Sequence, residues 1–306
     1  MATDLAAVEK LGRQNIDEIL ALWKDTDLPK LGDRMVKKVT STQAFIELAS
    51  FTGPGLPPKV VGSFDSFQEA DYDQVYNKTF ENERRGLTVR FSQKVWQDNQ
   101  YPSIVKGYAK NLRTTFHIQR EIDIADRFMN DADDATNNPG PDGVAFGSAA
   151  HPLDPGKGTF SNILSPAETV SPSALNKLTT ILRKQKSNKG FNYTSSGPFT
   201  IWCSVDKEVI WNQIKMGIQE EFGTPDRNVG APYARMIGGI VANPHFDNAE
   251  RFAVIAPGHR MWVWDRELFD ITPLEMKTEN KSLVCSATSR RATNEFDWRD
   301  TAYSFA

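Results

Sequence analysis

Apolar and polar positions repeat with two different periods along this chain, and the change of period divides it. Near the start, Ile16, Ile19, Leu20 and Trp23 recur at helical spacing behind Asn15 and Glu18, a capping-box pair. Asp27-Leu28-Pro29 ends that segment, and a second short helix is expected over 43–51. Residues 52–68 (TGPGLPPKVVGSFDSFQ) hold too much Gly and Pro for a regular helix. The run 53–62 within them reads as a hinge or strap. From residue 72 the period becomes two. Segments 72–81 and 87–96 read as extended, with Leu87, Val89 and Phe91 alternating with Thr88, Arg90 and Ser92. Asn82-Glu83-Arg84-Arg85-Gly86 lies between them, a polar stretch with Gly, so the pattern predicts a β-hairpin with a charged tip.

The longest helical signal covers 103–129, just after Pro102. Val105, Tyr108, Ala109, Leu112, Phe116 and Ala125 keep one face, widened by Ile118 and Ile122. At ~1.5 Å per residue such a helix spans roughly 40 Å. A compact chain of this length would be about 50 Å across, so one helix crosses most of the molecule and favours an elongated or flat subunit. Residues 130–162 read as loop, with a short apolar segment at 144–146. Ser171 then offers an N-cap and Pro172 a first helical residue. Ala174, Leu175, Leu178, Ile181 and Leu182 form the buried face of that helix. Arg183, Lys184, Lys186 and Lys189 gather at its end, where the dipole favours cations, and Gly190 stops it. Residues 199–205 read as a buried strand. Asp206 is placed to cap a helix over 207–221, with Val209, Ile210, Ile214 and Ile218 facing inward, and Gly223-Thr224-Pro225 breaks it. Further strands are expected at 234–241, 252–256, 261–264 and 283–291. Strands and helices do not alternate regularly, so the fold class is α+β.

Composition adds bounds to this picture. The chain has 306 residues, 39% hydrophobic and 25% charged, which is enough for a sizeable core. A net charge of −3 argues against a general nucleic-acid binder. Cys203 and Cys285 stand far apart in apolar stretches and read as reduced, buried packing residues of a cytoplasmic product. The opening MATDLAAVEK has neither the basic nor the apolar region of a signal peptide. No window approaches the ~20 apolar residues of a membrane span.

Motifs for chemistry fall short. In Gly156-Lys157-Gly158-Thr159 the lysine is followed by Gly, and His151 stands where a phosphate-binding loop needs its first Gly. Asp131, Asp133 and Asp134 lack the ordered positions, central Gly and closing Glu of a calcium loop. His117, His151, His245 and His259 show no metal-ligand spacing. His151 precedes a Pro, where it could brace a turn. Asp206 with Glu208, and Glu220 with Glu221, read as helix-end charges. No catalytic residue, cofactor or metal is expected.

Several segments together resemble tailed-bacteriophage major capsid proteins, especially the Mu-like major head subunits, whose fold is shared with encapsulin shells. The most specific is Phe146-Gly147-Ser148-Ala149-Ala150-His151-Pro152-Leu153, followed by Gly156, Gly158, Thr159 and Ser161-Asn162. Ser173-Ala174-Leu175 leading to Arg183-Lys184-Gln185-Lys186 and Gly190 is similar to the family's next helix. Tyr76-Asn77-Lys78-Thr79-Phe80-Glu81 and Leu87-Thr88-Val89 resemble its extended hairpin. Val241-Ala242-Asn243-Pro244 resembles a strand-to-turn segment, and Phe296-Asp297-Trp298-Arg299 a near-terminal one. The resemblance covers roughly 50–305. It implies an N-terminal arm (1–64), an extended hairpin loop (65–98), a peripheral domain with a long backbone helix (99–194), an axial domain (195–265) and a return to the peripheral domain (266–306).

It also implies the activity. The subunit would self-assemble into pentamers and hexamers of an icosahedral virion head enclosing double-stranded DNA without sequence-specific binding. The head would form in the host cytoplasm, with scaffolding, portal and cement proteins as possible partners. Edge strands of the hairpin would pair with another chain. Arg84, Arg85, Glu83, Gly86, Lys78, Phe91 and Trp96 are the candidate interface residues. A cellular nanocompartment shell, a tail or baseplate protein, and an α+β enzyme with a pocket of converging titratable groups are the alternatives.

Overall fold

The computed structural model describes residues 30–51, 74–91, 101–136, 138–153, 157–192, 196–216, 218–221, 224–227, 232–272, 275–277 and 282–306. The expected helix at 16–23, the Gly/Pro strap and Trp96 lie outside the described residues.

In chain order the structure runs α1 (Gly32–Met35), β1 (Lys37–Thr40), β2 (Phe45–Phe51), β3 (Gln74–Glu81), β4 (Glu83–Phe91) and α2 (Tyr101–Ala125), which passes into a π turn (Asp126–Asn130). Next come β5 (His151–Pro152), β6 (Thr159–Phe160), α3 (Pro172–Lys184), β7 (Phe199–Ser204), a 3-10 turn (Val205–Lys207) and α4 (Glu208–Met216). Then follow β8 (Ile218–Glu221), β9 (Thr224–Arg227), α5 (Pro232–Met236), β10 (Ile237–Asn243), β11 (Phe252–Ile255), β12 (Met261–Ile271), β13 (Glu275–Lys277) and β14 (Ser282–Glu295). A second 3-10 turn (Trp298–Asp300) and β15 (Thr301–Ser304) end the chain.

Two sheets carry the body. In one, β12 lies between β1 and the long β14, and β14 also pairs with β13 and β4. The other has the order β10-β7-β11-β15 and joins the C-terminal strand to the middle of the chain. Its strands β7, β11 and β15 are almost wholly buried, which explains runs such as Phe-Ala-Val-Ile that show no alternation. One core cluster links Met35, the end of α2, α3, this second sheet and Trp298.

The long helix forms with Leu112, Phe116 and Ala125 buried on the expected face and Ile124 buried beside them, but Ile118, expected to widen that face, is left 42% exposed. Its last turn widens to π geometry and buries Phe128 and Met129 completely. Gly32 lets α1 approach this helix, since a Cβ there would stand 2.5 Å from Ile124 Cδ1. Helix α3 begins as expected, with Ser171 Oγ accepting from the Ala174 amide at 3.1 Å.

Several expectations are corrected. Residues 45–51 are a strand rather than a helix: Ile46 is buried, Phe45 and Glu47 point outward, and β2 pairs antiparallel with β3. The hairpin from 72–81 to 87–96 does not form. β3 pairs with β2, whereas β4 pairs with β14 from Glu83↔Arg291 to Phe91↔Leu283. The chain changes partners at Asn82, which is a buried switch point and not part of an exposed tip. Its Nδ2 donates to the carbonyls of Gln43 (3.0 Å) and Ala44 (3.1 Å), and its own carbonyl accepts from Arg290 Nε (3.2 Å). Gly86 therefore sits in a strand opposite Thr288 rather than in a turn.

The helix expected over 207–221 ends at Met216, and 218–221 pair as a strand with 224–227. Asp206 does not cap it: Ser204 caps the 3-10 turn that leads into it, its side chain accepting from the Asp206 amide. Trp211 and Ile214 are the buried positions on α4, while Val209 and Ile210 face out. Helix α3 ends at Lys184, before Gly190.

Candidate assembly surfaces

Three features of the subunit present backbone or apolar surface to the outside. The first is the two-stranded ribbon β2–β3. An isolated ribbon of this kind has little stability of its own, and here its base is tied to the body through alternate residues of β3. Tyr76 OH donates to the Pro152 carbonyl at 3.2 Å, Phe80 is buried, and Lys78 Nζ reaches the Pro139 carbonyl and Glu295 Oε1, the latter at 3.2 Å. Glu295 is fully buried and also accepts from Arg127 Nε at 2.7 Å. Burial pulls the Lys78 ammonium below its ordinary value, partly offset by the Glu295 charge. Lys78 is thus an internal clasp of the ribbon. The segments before and after the ribbon's far end, residues 52–73, lie outside the described residues.

The second feature is β4. Among the described residues it is paired on one side only, with β14. Its residues from Glu83 to Thr88 are all exposed, and an exposed strand edge offers free N–H and C=O groups to another chain. Arg84 lies opposite Arg290, and Arg85 is held by Asp123 at 2.9 Å and Glu83 at 3.4 Å. Glu83, Arg84, Arg85 and Gly86 therefore do share one edge, but on the body sheet. Phe91 lies opposite Leu283 at the far end of the same strand.

The third feature is the apolar outer face of the segment 205–216. Val205 is 47% exposed, Val209 65% and Met216 64%, with Ile210 at 38%. Trp211, packed on Phe252 at 5.0 Å, holds the helix down on the other side. The helical periodicity of this segment was readable, but which of two apolar faces turned inward depended on the fully buried Trp211.

A polar cleft of about 440 Å³ lies between the ribbon base, the end of α2 and β14, lined among others by Lys78, Glu81, Arg85, Asp123, Asp126 and Asp131. Its cations are matched in ion pairs: Lys78 and Arg127 with Glu295, Arg85 with Asp123. Burial raises the Asp126 carboxyl, which accepts from Asn130 Nδ2 at 2.8 Å. Among the described residues no cluster of three or more His, Cys, Asp or Glu is placed to hold a metal ion. No described helix is long and apolar enough to cross a membrane. Cys203 and Cys285 are free and buried, and burial pushes the Cys203 thiol up to about 12.

Beneath these surfaces the Gly-rich, His-Pro segment meets the C-terminal turn. His151 is fully buried, with Nδ1 2.6 Å from Asp142 Oδ2 and Nε2 3.1 Å from Asn162 Oδ1. The Asn162 amide is fixed by accepting from the Ser148 amide (2.8 Å) and donating to the Phe146 carbonyl (2.8 Å). The imidazole stacks on Trp298, whose ring carries the Arg299 guanidinium 4.5 Å from its centroid.

No family model and no curated protein matches the chain. Solved structures do match its fold. The capsid of an empty GTA particle, computed with C5 symmetry, aligns with a TM-score of 0.57 at 10% identity over 91% of each chain. The capsid of the native GTA particle aligns with the same score at 12% identity. Microbacterium phage Oxtober96 aligns at 0.56 and 12% identity, over 91% of this chain and 93% of the other. The α+β architecture described above is therefore the phage capsid fold, matched almost from end to end.

Proposed function

We propose that this protein is the major capsid subunit of a tailed phage, and that its activity is assembly of a closed shell. The observation that carries the reading is the coverage: about nine-tenths of this chain and of the capsid chains share one fold. The three outward features support it. A ribbon of marginal independent stability, a one-sided edge strand and an apolar helix face are liabilities for a monomer and contacts for a lattice. Many modest contacts per subunit reinforce one another once a shell closes.

In this reading the resemblance to Mu-like head subunits supplies the arrangement. Subunits gather as pentamers and hexamers around an axial region holding 205–216. The ribbon, set by its pairing at 45–81, is the projecting loop that reaches a neighbour. The segment 1–64 begins as an arm, 99–194 form the peripheral region, and 266–306 return to it. The shell encloses double-stranded DNA as a virion component, with portal, scaffolding and cement functions supplied by other chains, and the subunit itself performs no catalysis.

Negative-stain microscopy and light scattering of the purified protein test this. Closed particles of uniform diameter are expected. A protein that stays monomeric at high concentration overturns the proposal.

A further inference from the structure

The net charge of −3 hides a strong local imbalance. Residues 157–192 carry Lys157, Lys177, Arg183, Lys184, Lys186 and Lys189 against a single acid, Glu168. Glu168 is taken by Lys177. The other five cations are exposed or half-buried, and among the described residues none has an ion-pair partner. Arg183 and Lys184 lie in the last turn of α3, where they meet the negative end of its dipole. Lys186, Lys189 and Lys157 lie beyond the helix, so the dipole does not account for them. Lys157 joins the group because its Cδ is 3.6 Å from where a Cβ on Gly190 would stand.

The turn that presents these lysines is built rigidly from below. Arg299, almost fully buried, donates from Nε to the Lys186 carbonyl at 2.8 Å and from Nη2 to Asn188 Oδ1. Its own charge is balanced by Asp297 at 3.0 Å. The Ser187 amide donates to the Phe191 carbonyl at 2.6 Å, and the Gly190 amide to the Ser187 carbonyl at 2.8 Å. Gly190 takes φ +83°, which a glycine adopts without strain. A buried guanidinium thus fixes a loop whose lysines have no counter-charge among the described residues, an arrangement of no benefit to the isolated subunit, where like charges repel.

We infer that this patch, Lys157, Arg183, Lys184, Lys186 and Lys189, binds the phosphate backbone of double-stranded nucleic acid, and that this face of the subunit is turned toward the shell's contents. Charge complementarity favours a phosphate polymer over a second copy of the chain. Among the described residues, several of the subunit's acids are already paired: Asp123 with Arg85, Asp133 with Arg251, and Asp297 and Asp300 with Arg260. DNA carries about one charge per ~1.7 Å of its axis and needs no register to meet five clustered cations. The patch is a local field on a weakly acidic protein, so binding is weak for one subunit and additive over many. The binding step stands on the subunit's own surface; only the inward direction rests on the shell reading.

The test uses free subunits and a short, labelled duplex DNA of arbitrary sequence, read by fluorescence anisotropy across a salt series. Wild-type binding should weaken with salt at a log–log slope of about −4.5, for five phosphate contacts at ~0.9 each. The K184E/K186E/K189E variant should lose at least tenfold in affinity at low salt and show a shallower slope. The variant K30E/K215E/R235E makes the same change in net charge elsewhere and should bind as wild type. Equal loss in both variants, or no loss in either, overturns the proposal. So does a wild type that ignores DNA and binds poly-glutamate, which would mark the patch as a protein contact. If the charge reversals unfold the subunit, K184Q/K186Q/K189Q carries the same expectations with smaller losses. Shell formation is scored separately by microscopy, so a protein that binds DNA through the patch yet never forms shells refutes only the capsid reading.

Discussion

His151 and Trp298 stack face to face, with ring centroids 4.0 Å apart and planes 6° from parallel, although 147 positions separate them (298 − 151). The stack ties the loop after the long helix to the C-terminal turn. His151 also faces Asp142, and neither side chain of that pair is exposed. Removing one partner of a buried hydrogen bond leaves the other unsatisfied, at about 1–3 kcal/mol. His151→Phe keeps an aromatic ring on Trp298 but strips Asp142 Oδ2 of its partner, leaving the carboxylate only the Val144 amide at 3.4 Å, so it should destabilise the fold. The double variant His151→Phe/Asp142→Ala should recover part of the loss. Urea unfolding of the four proteins checks this; simple additivity would show that the two residues act independently.

Asn82 marks the point where the chain leaves the ribbon for the body sheet. Asn82→Ala removes the donor to two carbonyls, those of Gln43 and Ala44. The expected cost is about 1–3 kcal/mol, concentrated at the ribbon base. Hydrogen exchange should speed up in 45–48 and 76–81 while β7 and β11 stay protected. Uniform acceleration across the protein would contradict a local switch.

Glu295 is shared by Lys78 and Arg127, which sets an order of severity. Glu295→Ala leaves two part-buried cations without their anion and should cost the most, about 3–5 kcal/mol. Lys78→Met should cost less, because Arg127 still neutralises Glu295 and the methionine stem can still pack on Phe80. Thermal or chemical unfolding gives the ranking, and a Lys78→Met protein weaker than Glu295→Ala would reject it.

His259 gives a pH dependence with a definite sign. Burial, with Lys37 nearby, lowers its value from an ordinary 6.5 to about 4. The unfolded chain then binds the proton more readily between those limits. The stabilisation is complete above about pH 6.5 and is lost as pH falls toward about 4. Its size is on the order of 1–3 kcal/mol. Asp126 and Asp300, both raised by burial, act in the opposite direction at acid pH. Comparison with His259→Gln isolates the histidine: the variant should lose less stability between pH 7 and 5 than wild type does. Parallel pH curves would remove His259 from the account.

Val209 and Met216 are exposed on α4 and contribute little to the isolated fold. Val209→Asp and Met216→Asp should change subunit stability by no more than about 0.5 kcal/mol. Under the proposed function the same changes should prevent shell closure. Normal shells from both variants would show that this face is not a contact.

Elements whose cause is local could be read from the sequence. The α2 stripe, the Ser171–Pro172 helix start and the apolar strands β7 and β11 each follow from a period or a cap within a few residues. The surfaces proposed for assembly were less legible. Arg84 and Arg85 were expected at the tip of a hairpin, whereas they lie within a strand whose partner, β14, is some two hundred residues away, and no local pattern names it. Residues 45–51 satisfy both a helical and an extended reading until β3 arrives to accept their backbone hydrogen bonds. On α4, two apolar faces competed, and the bulk of Trp211 against Phe252 chose between them.

By itself, then, the sequence determined the start of α3 at Ser171 and Pro172, the existence of the long helix, and the apolar strands β7 and β11. Tertiary structure alone decided which strand pairs with which, where the ribbon ends at Asn82, and how Arg299 fixes the lysine-bearing turn from beneath. The physical reason is one of range. Side-chain periodicity and capping act over a few residues, whereas backbone pairing and burial are settled among all segments at once, and each strand takes the partner that leaves the fewest buried groups unsatisfied.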